Sequence, residues 1–136
     1  MVTKTAKVHA ASWKKLFDEY PKRRATGGNG SWEPFDISSD YNTYVDGKPR
    51  YEGVKSFLES RGSDLPYGNP DDSPDAETIC GLGNRKNRIF NNHLETHGVE
   101  SYEIAVEFLH LLKESGFKTA VVSSSKNCQA VVSALS

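Results

Sequence analysis

The sequence has no apolar run approaching about 18 residues, so we expect no membrane-spanning helix and no membrane partner. It has two cysteines, Cys80 and Cys128, which lie far apart and lack metal-ligand spacing. Two cysteines cannot build a disulfide framework, and residues 1–5 lack the apolar core of a signal peptide. A reducing, cytoplasmic location is therefore the simpler expectation.

An excess of one charge is also lacking, because 17 basic and 18 acidic residues give a formal net charge of −1. Nucleic acids and anionic membranes attract strongly basic surfaces, so neither is an expected partner. Any anion site in this chain must therefore be local.

Familiar nucleotide and metal motifs are missing as well. The segment Gly81-Leu82-Gly83 lacks the third glycine of a dinucleotide-binding fingerprint, and no Walker-type loop occurs. His93 and His97 are four residues apart, but no glutamate of the zinc-protease kind lies between them. We therefore expect neither a dinucleotide site nor a metal site.

Helical periodicity dominates what is present, in a chain of 136 residues whose 36% hydrophobic and 26% charged content suits one globular domain. Apolar side chains recur at spacings of three and four, which predicts helices over about residues 5–20, 49–61, 75–97 and 102–115. Pro21, Gly62, Gly98 and Gly116 are the predicted stops. Residues 22–31 and 63–74 are predicted loops, and residues 32–49 are predicted short turns or short helices.

The last part of the chain has a different pattern. Residues 118–123 form an apolar run before a turn cluster, which predicts a buried strand of a parallel sheet. Ser124 or Ser125 can cap a final helix that contains Val131, Val132 and Leu135. Because one strand cannot make a sheet, this helix–strand–helix unit looks like the opening of an α/β domain.

The turn Ser123-Ser124-Ser125-Lys126-Asn127 is the best local signal for function. A buried strand would deliver hydroxyls and a lysine to a helix N-terminus, where free N–H groups and the helix dipole favour anions. The alternative is a capped turn with no ligand.

Three further residues are candidates with ordinary alternatives. His9 lies on an apolar helix face, where a histidine is more often a core or surface residue than a catalyst. Lys86 falls on a buried stripe, where it either extends its ammonium to water or faces a cleft and holds an anion. Arg50 follows a turn and could present its planar fork to phosphate, or remain a surface arginine.

Together these residues resemble a known family. The stretch Thr3-x-Thr5-Ala6-x-x-His9-x-x-x-Trp13 is similar to the segment just after the nucleophile loop in β-phosphoglucomutase-like members of the haloacid dehalogenase superfamily. The pieces Gly47-x-x-Arg50 and Arg85-Lys86-Asn87 are similar to the substrate-facing part of their helical cap, and 121–127 to their serine-ending second core motif. The order and spacing agree across nearly the whole chain.

The resemblance implies a fold and two regions. Members of the family are α/β proteins. The part that this chain resembles would be mostly α-helical: a helical-bundle cap with a hinge helix over 1–100, then a partial Rossmann-like core over 101–136.

The resemblance also implies roles for single residues. His9 would assist proton transfer in the hinge, where Trp13 would pack. Arg50 would reach the phosphate that is not transferred, and Lys86 would line the sugar pocket. Ser123 and Ser124 would bind the transferring phosphoryl group. Three residues would hold the distal phosphate: Ser125, Lys126 and Asn127.

The family moves a phosphoryl group through an aspartyl-phosphate, with Mg²⁺ neutralising charge. Its nucleophile and acid/base aspartates lie in an Asp-x-Asp-Gly loop, and the resemblance places Met1 just after the end of that loop. A later position that is usually aspartate in the family is Lys4 here. The sequence contains no Asp-x-Asp. The expectation is therefore an inactive fragment of a sugar-phosphate mutase or phosphatase that does not bind Mg²⁺ tightly.

Two alternatives remain open at this point. The chain could be a non-catalytic binder of sugar phosphates or other anions. It could instead be a helical interaction module that forms an oligomer through the incomplete core, because an uncovered strand edge invites partners.

Overall fold

The computed structural model describes residues 3–24, 33–123 and 125–133, with the backbone alone for residues 21–24. In these ranges the chain forms five α-helices and one π-helical turn. They are α1 Thr5–Arg24, the π turn Tyr41–Val45, α2 Arg50–Ser60, α3 Ile79–His97, α4 Glu103–Glu114 and α5 Cys128–Ser133. None of the helices described is long and apolar enough to cross a membrane.

The core lies between the first three helices, because α3 packs against both α1 and α2. Four aromatic side chains fill its centre: Trp13, Phe17, Phe35 and Phe57. The rings of Phe17 and Phe57 are closest, with centroids 4.0 Å apart. Each such ring contributes about 1.5–3 kcal/mol through its removal from water, so this cluster is what holds the three helices together.

Local signals explain where α2 and α3 begin and end. Pro49 occupies the N-cap of α2, and Gly62 follows its end with a positive φ of 66°. The hydroxyl of Thr78 accepts the Gly81 N–H at 2.9 Å and caps α3, which therefore starts at Ile79 rather than near residue 75. Gly98 ends α3 with a φ of 69°, as predicted.

The predicted stop of α1 at Pro21 is wrong, because the helix continues to Arg24. Proline's fixed φ is compatible with a helix, although its ring removes one N–H donor and crowds the carbonyl four residues earlier. The backbone of residues 22–24 keeps helical geometry, so Pro21 does not end the helix. The glycine-rich segment that follows lies largely outside the described residues.

The predicted buried strand over 118–123 is also wrong for the structure described. Residues 117–123 carry no regular structure and are exposed, with Val122 at 95%. In the described ranges, β-type backbone pairing consists of one isolated antiparallel bridge between Thr3 and Ser101. A strand needs a neighbour for its N–H and C=O groups, so an apolar run without one does not become a strand.

The end of the chain agrees with the prediction only in part. A short helix α5 is present, but it starts at Cys128, three residues after Ser125. The Ser125 hydroxyl accepts the Asn127 N–H at 3.1 Å, so it closes a turn before the helix instead of capping it. Ser124 and Leu135 lie outside the described residues.

Candidate functional site

The centre of the candidate site is a contact between α1 and α3. The Nζ atom of Lys86 lies 2.7 Å from Nδ1 of His9. When Lys86 is protonated its ammonium can only donate, so Nδ1 then accepts and the proton of the neutral imidazole sits on Nε2. The His9 ring stacks on Phe90 with centroids 4.2 Å apart and planes 12° apart.

Aromatic faces surround the ammonium of Lys86. Its Nζ lies 5.1 Å from the ring centroid of Trp13 and 5.0 Å from that of Phe90. The residue is only 4% exposed, and no carboxylate is in ion-pair contact with it within the part of the chain that the structure describes. Ring electrons and one imidazole nitrogen are therefore what offset the loss of water around this charge.

Burial and neighbouring charge shift both pKa values in this pair. Burial, with the Arg50 charge as a second cause, lowers the pKa of Lys86 from 10.5 to about 7. Burial, with the Lys86 charge as a second cause, lowers the pKa of His9 from 6.5 to about 4. Near neutral pH the imidazole is thus uncharged, while the lysine is close to its midpoint and responds to any nearby anion.

Arg50 contributes a second cation from the first position of α2. Its guanidinium carbon lies 5.3 Å from the ring centroid of Tyr51. Its Nε is buried and finds no hydrogen-bond acceptor among the described residues. A buried donor without a partner costs about 1–3 kcal/mol, so an acceptor bound here would be stabilised.

The serine-rich turn reaches the same region through two side chains. Nζ of Lys126 lies 5.9 Å from the Tyr51 ring centroid. The Asn127 side-chain amide donates to Oδ1 of Asn87 on α3 at 2.7 Å. These contacts bring Lys126 against α2 and Asn127 against α3, even though the strand predicted before them does not form.

Tyr51 itself is held from the α3 side. Its hydroxyl donates to Oδ1 of Asn84 at 2.9 Å. The Asn84 amide in turn donates to the carbonyl oxygens of Pro70 and Asp72, both at 2.9 Å. A Cβ on Gly83 would lie 2.5 Å from the Tyr51 ring, so only glycine allows this close approach.

The structure therefore gathers six of the nine residues singled out from the sequence: His9, Trp13, Lys86, Arg50, Lys126 and Asn127. Ser123 is exposed, and its hydroxyl accepts the Ser125 N–H at 3.1 Å, so these two serines contact each other. Ser124 is a site prediction that lies outside the described residues.

Sequence reasoning did not identify Tyr51, Asn84 or Asn87 as part of this region. Asn87 stood within the motif Arg85-Lys86-Asn87, and Tyr51 directly follows Arg50, so adjacency to a candidate was the available signal. Neither periodicity nor charge marked them, because a tyrosine and two asparagines on helices are ordinary surface residues.

The described residues do not fit a metal ion. They contain no group of three or more histidine, cysteine, aspartate or glutamate side chains that could hold one. Mg²⁺ prefers several oxygen ligands, whereas the polar atoms gathered here are mainly cationic donors. We therefore derive no step through Mg²⁺ from these residues.

Comparison with known proteins gives the class of protein. No family model matches the sequence. The chain is 43% identical over 132 residues to a protein named beta-phosphoglucomutase in Mycobacterium bovis and to another in Mycobacterium tuberculosis. Each alignment covers 97% of the chain and 50% of the relative, so the chain spans about half the length of these curated relatives.

A third relative, named "Uncharacterized glycosyl hydrolase" in Mycobacterium tuberculosis, is 36% identical over 127 residues. That alignment covers 93% of the chain and 9% of the longer protein. Over nearly its whole length, the chain is therefore homologous to about half of each of the two proteins named beta-phosphoglucomutase.

Proposed function

We propose that this chain supplies the sugar-phosphate-binding part of a β-phosphoglucomutase-like enzyme: a helical cap over 1–100 and part of the core over 101–136. The observation that carries the proposal is the cationic cluster formed by Arg50, Lys86 and Lys126. Arg50 and Lys126 lie over the same Tyr51 ring, and the Arg50 charge acts on Lys86. None of the three is in ion-pair contact with a carboxylate of the described residues. A phosphate dianion would accept charge-assisted hydrogen bonds from such a cluster and balance its charge.

The proposed roles follow the chemistry of each side chain. Arg50 offers a planar fork and an unpaired Nε to phosphate oxygens. Lys126 and the amide of Asn127 hold the distal phosphate, with Ser125 beside them. Ser123 and Ser124 serve the phosphoryl group that moves, and Lys86 faces the sugar from the α3 side.

His9 has a proposed role that its neutral state supports. With Nδ1 accepting from Lys86, the imidazole keeps its remaining proton on Nε2. That proton is available to assist transfer in the hinge, while Trp13 packs beside it. The proposed chemistry is transfer of a phosphoryl group to and from an aspartate of the enzyme.

We propose that these residues supply binding rather than turnover. The sequence contains no Asp-x-Asp, so no pair of the kind that accepts the phosphoryl group and moves the proton is present in it. Electrostatic and positioning groups stabilise a transferring phosphoryl group, but they cannot replace the nucleophile.

The test compares this chain with a chimera that joins it to the remaining half of the 43% identical Mycobacterium tuberculosis relative. Phosphatase and β-phosphoglucomutase turnover are measured for both with Mg²⁺, and glucose 6-phosphate binding is measured by calorimetry. We expect binding in both proteins and turnover in the chimera alone. Turnover by this chain would refute the nucleophile argument, and absence of binding in both would refute the proposed site.

Binding should also depend on pH in a specified direction. Lys86 holds an anion only when protonated, and its folded pKa is about 7. The affinity for glucose 6-phosphate should therefore fall as pH rises from about 7 to about 8.5, and complex formation should take up protons. Calorimetry in buffers of different ionisation enthalpy measures that uptake, and the substitution Lys86→Met should remove it.

A further inference from the structure

We propose that Tyr51 is a positioning residue for the phosphate that is not transferred. Its ring brings Lys126 and Arg50 to one place, and its hydroxyl anchors that place to α3. This inference rests on the proposed function, because the site that Tyr51 serves is the sugar-phosphate site.

The two cations share one aromatic ring. Arg50 belongs to the start of α2, and Lys126 belongs to the turn before α5. The ring centroid of Tyr51 lies 5.3 Å from the Arg50 guanidinium carbon and 5.9 Å from Lys126 Nζ. Because like charges repel, two cations need a common counterpart, and the negative face of an aromatic ring supplies a weak one without a ligand.

The ring has little freedom to move. Gly83 lies against it so closely that an added Cβ would be 2.5 Å from the ring and 3.4 Å from Arg50 Cγ. The Tyr67 ring meets it edge-on, with centroids 6.3 Å apart and planes at 79°. The ring therefore presents Lys126 and Arg50 in one arrangement rather than many, which lowers the ordering cost when an anion binds.

The hydroxyl fixes the far end of the side chain. It donates to Asn84, and Asn84 donates to the backbone carbonyls of Pro70 and Asp72. Asp72 in turn accepts from the Thr78 hydroxyl at 2.7 Å, next to the start of α3. Tyr51 thus connects the two cations to a hydrogen-bonded segment of fixed geometry.

The experiment uses the whole chain and three variants. Tyr51→Leu removes the ring, and Tyr51→Phe keeps the ring and removes the hydroxyl. Tyr102→Leu is the matched control, because the Tyr102 ring also carries a cation, with Lys4 Nζ 5.2 Å from its centroid. The first measurement needs no ligand. It records the NMR shifts of the side-chain methylene protons nearest the Lys126 and Arg50 charges, which the ring current of Tyr51 moves upfield. The second is the affinity for glucose 6-phosphate by calorimetry.

We expect upfield-shifted methylene protons at Lys126 and Arg50 in the parent chain, in Tyr51→Phe and in Tyr102→Leu, and their loss in Tyr51→Leu. Tyr51→Leu should bind glucose 6-phosphate about tenfold more weakly, which corresponds to about 1.4 kcal/mol. Tyr51→Phe should bind about threefold more weakly, because the ring stays but its hydrogen bond to Asn84 is lost, and Tyr102→Leu should bind like the parent chain. In a Lys126→Met background the leucine substitution should cost less, since one of the two positioned cations is gone.

A fold defect is separated from positioning by a second pair of variants. Pentafluorophenylalanine at position 51 keeps the ring's shape and reverses the charge of its face. Relative to Tyr51→Phe, it should weaken glucose 6-phosphate binding several-fold with an unchanged circular dichroism spectrum. Equal affinities for this pair would overturn the proposal even if Tyr51→Leu does not fold.

The two measurements distinguish the failure of this inference from the failure of the proposed function. If the parent chain binds glucose 6-phosphate and Tyr51→Leu binds equally well, Tyr51 positions nothing and the proposed function stands. If the parent chain shows the shifted protons but binds neither glucose 6-phosphate nor inorganic phosphate, the proposed function fails. The positioning of the two cations for a phosphate then fails as well, although the cation–ring contacts remain.

Discussion

Lys86 is a buried cation whose neighbours are aromatic rings and one imidazole nitrogen. Its burial lowers its pKa to about 7, so folding must either bury the charge or release a proton. A site built to receive an anion carries this cost when it is empty and recovers it on binding. Lys86 is therefore the residue at which stability and binding should respond in opposite directions.

Lys86→Met tests that opposition. Methionine fills a similar volume without a charge, so the free energy of unfolding at about pH 7 should rise by about 1–3 kcal/mol, measured by urea denaturation. Glucose 6-phosphate should bind more weakly, and the proton uptake on binding should disappear. The gain in stability should shrink toward about pH 9, because the folded lysine is neutral there while the unfolded chain stays protonated until about pH 10.5.

The matched control is Lys55→Met, since Lys55 is half exposed and pairs only loosely with Glu59 at 3.9 Å. That substitution should change the free energy of unfolding by less than about 0.5 kcal/mol and leave binding intact. If Lys86→Met destabilises the chain instead, the view of Lys86 as an uncompensated charge is wrong.

His9 should make the fold sensitive to mild acid. Its pKa is about 4 in the folded chain and 6.5 when unperturbed. As pH falls through 6.5, the unfolded chain takes up a proton that the folded chain still excludes, so stability is lost between about pH 6.5 and about pH 4. From about pH 7 to about pH 5 the loss should be about 2 kcal/mol.

The measurement is urea unfolding at several pH values in that interval. In this window Lys86 is mainly protonated in both states, so it contributes little to the slope. His9→Asn keeps an acceptor near the Lys86 ammonium but does not titrate, so its unfolding free energy should change much less than that of the parent chain over the same interval. An equal slope in both proteins would exclude His9 as the cause.

At the scale of elements, the packing around α2 depends on two glycines, Gly83 of α3 and Gly53 of α2, which have different room for a side chain. Gly83 of α3 lies under Tyr51 of α2, and a Cβ would come 2.5 Å from the ring. A Cβ on Gly53 of α2 would lie 3.4 Å from the side chains of Trp13 and Val45, which is ordinary van der Waals contact. The same substitution should therefore have opposite effects on two neighbouring helices.

Gly83→Ala should destabilise the chain by about 1–3 kcal/mol, because the helices must move apart or Tyr51 must turn away. Gly53→Ala should be neutral or stabilising by up to about 1 kcal/mol, since alanine favours the helix. Thermal unfolding of both variants measures the difference. If the two shift the melting temperature equally, the close approach at Gly83 does not limit the packing.

At the scale of the whole molecule, apolar side chains are distributed unevenly. The core joins α1, α2 and α3, whereas α4 has no buried residue. Ile104 is 83% exposed, and Phe108 and Leu111 are more than half exposed on the same helix. These side chains gain little from folding in the arrangement described, so the region after about residue 102 should be the less stable part.

Hydrogen exchange measures this difference. Amides of α4 should exchange at least about 100-fold faster than those in the centre of α3, because opening α4 exposes little additional apolar surface. The measurement belongs at low concentration, with sedimentation run alongside. Uniformly slow exchange across residues 103–123 in a dilute monomer would contradict the expectation.

Sedimentation also bears on the interaction alternative. If the apolar face of α4 mediates self-association, the apparent mass should rise with concentration, and Phe108→Lys should abolish that rise. A monomer at all concentrations would leave the α4 face without a role in self-association.

Local sequence determined most of the helices and the identity of the candidate residues. The spacing of apolar side chains located α1 to α4 to within a few residues, and glycines with positive φ ended α2 and α3 where expected. His9, Arg50 and Lys86 were recognisable because their types are unusual on apolar stripes or after turns. Such signals act over a few residues, where helical geometry is itself decided.

Tertiary structure alone decided the contacts between distant residues. Lys86 meets His9 across 77 positions, and Asn127 meets Asn87 across 40. It also decided against the strand over 118–123, because a strand depends on a partner that the described residues do not provide. A helix satisfies its backbone within its own segment, so sequence predicts it, whereas strands and sites depend on what the rest of the chain brings alongside.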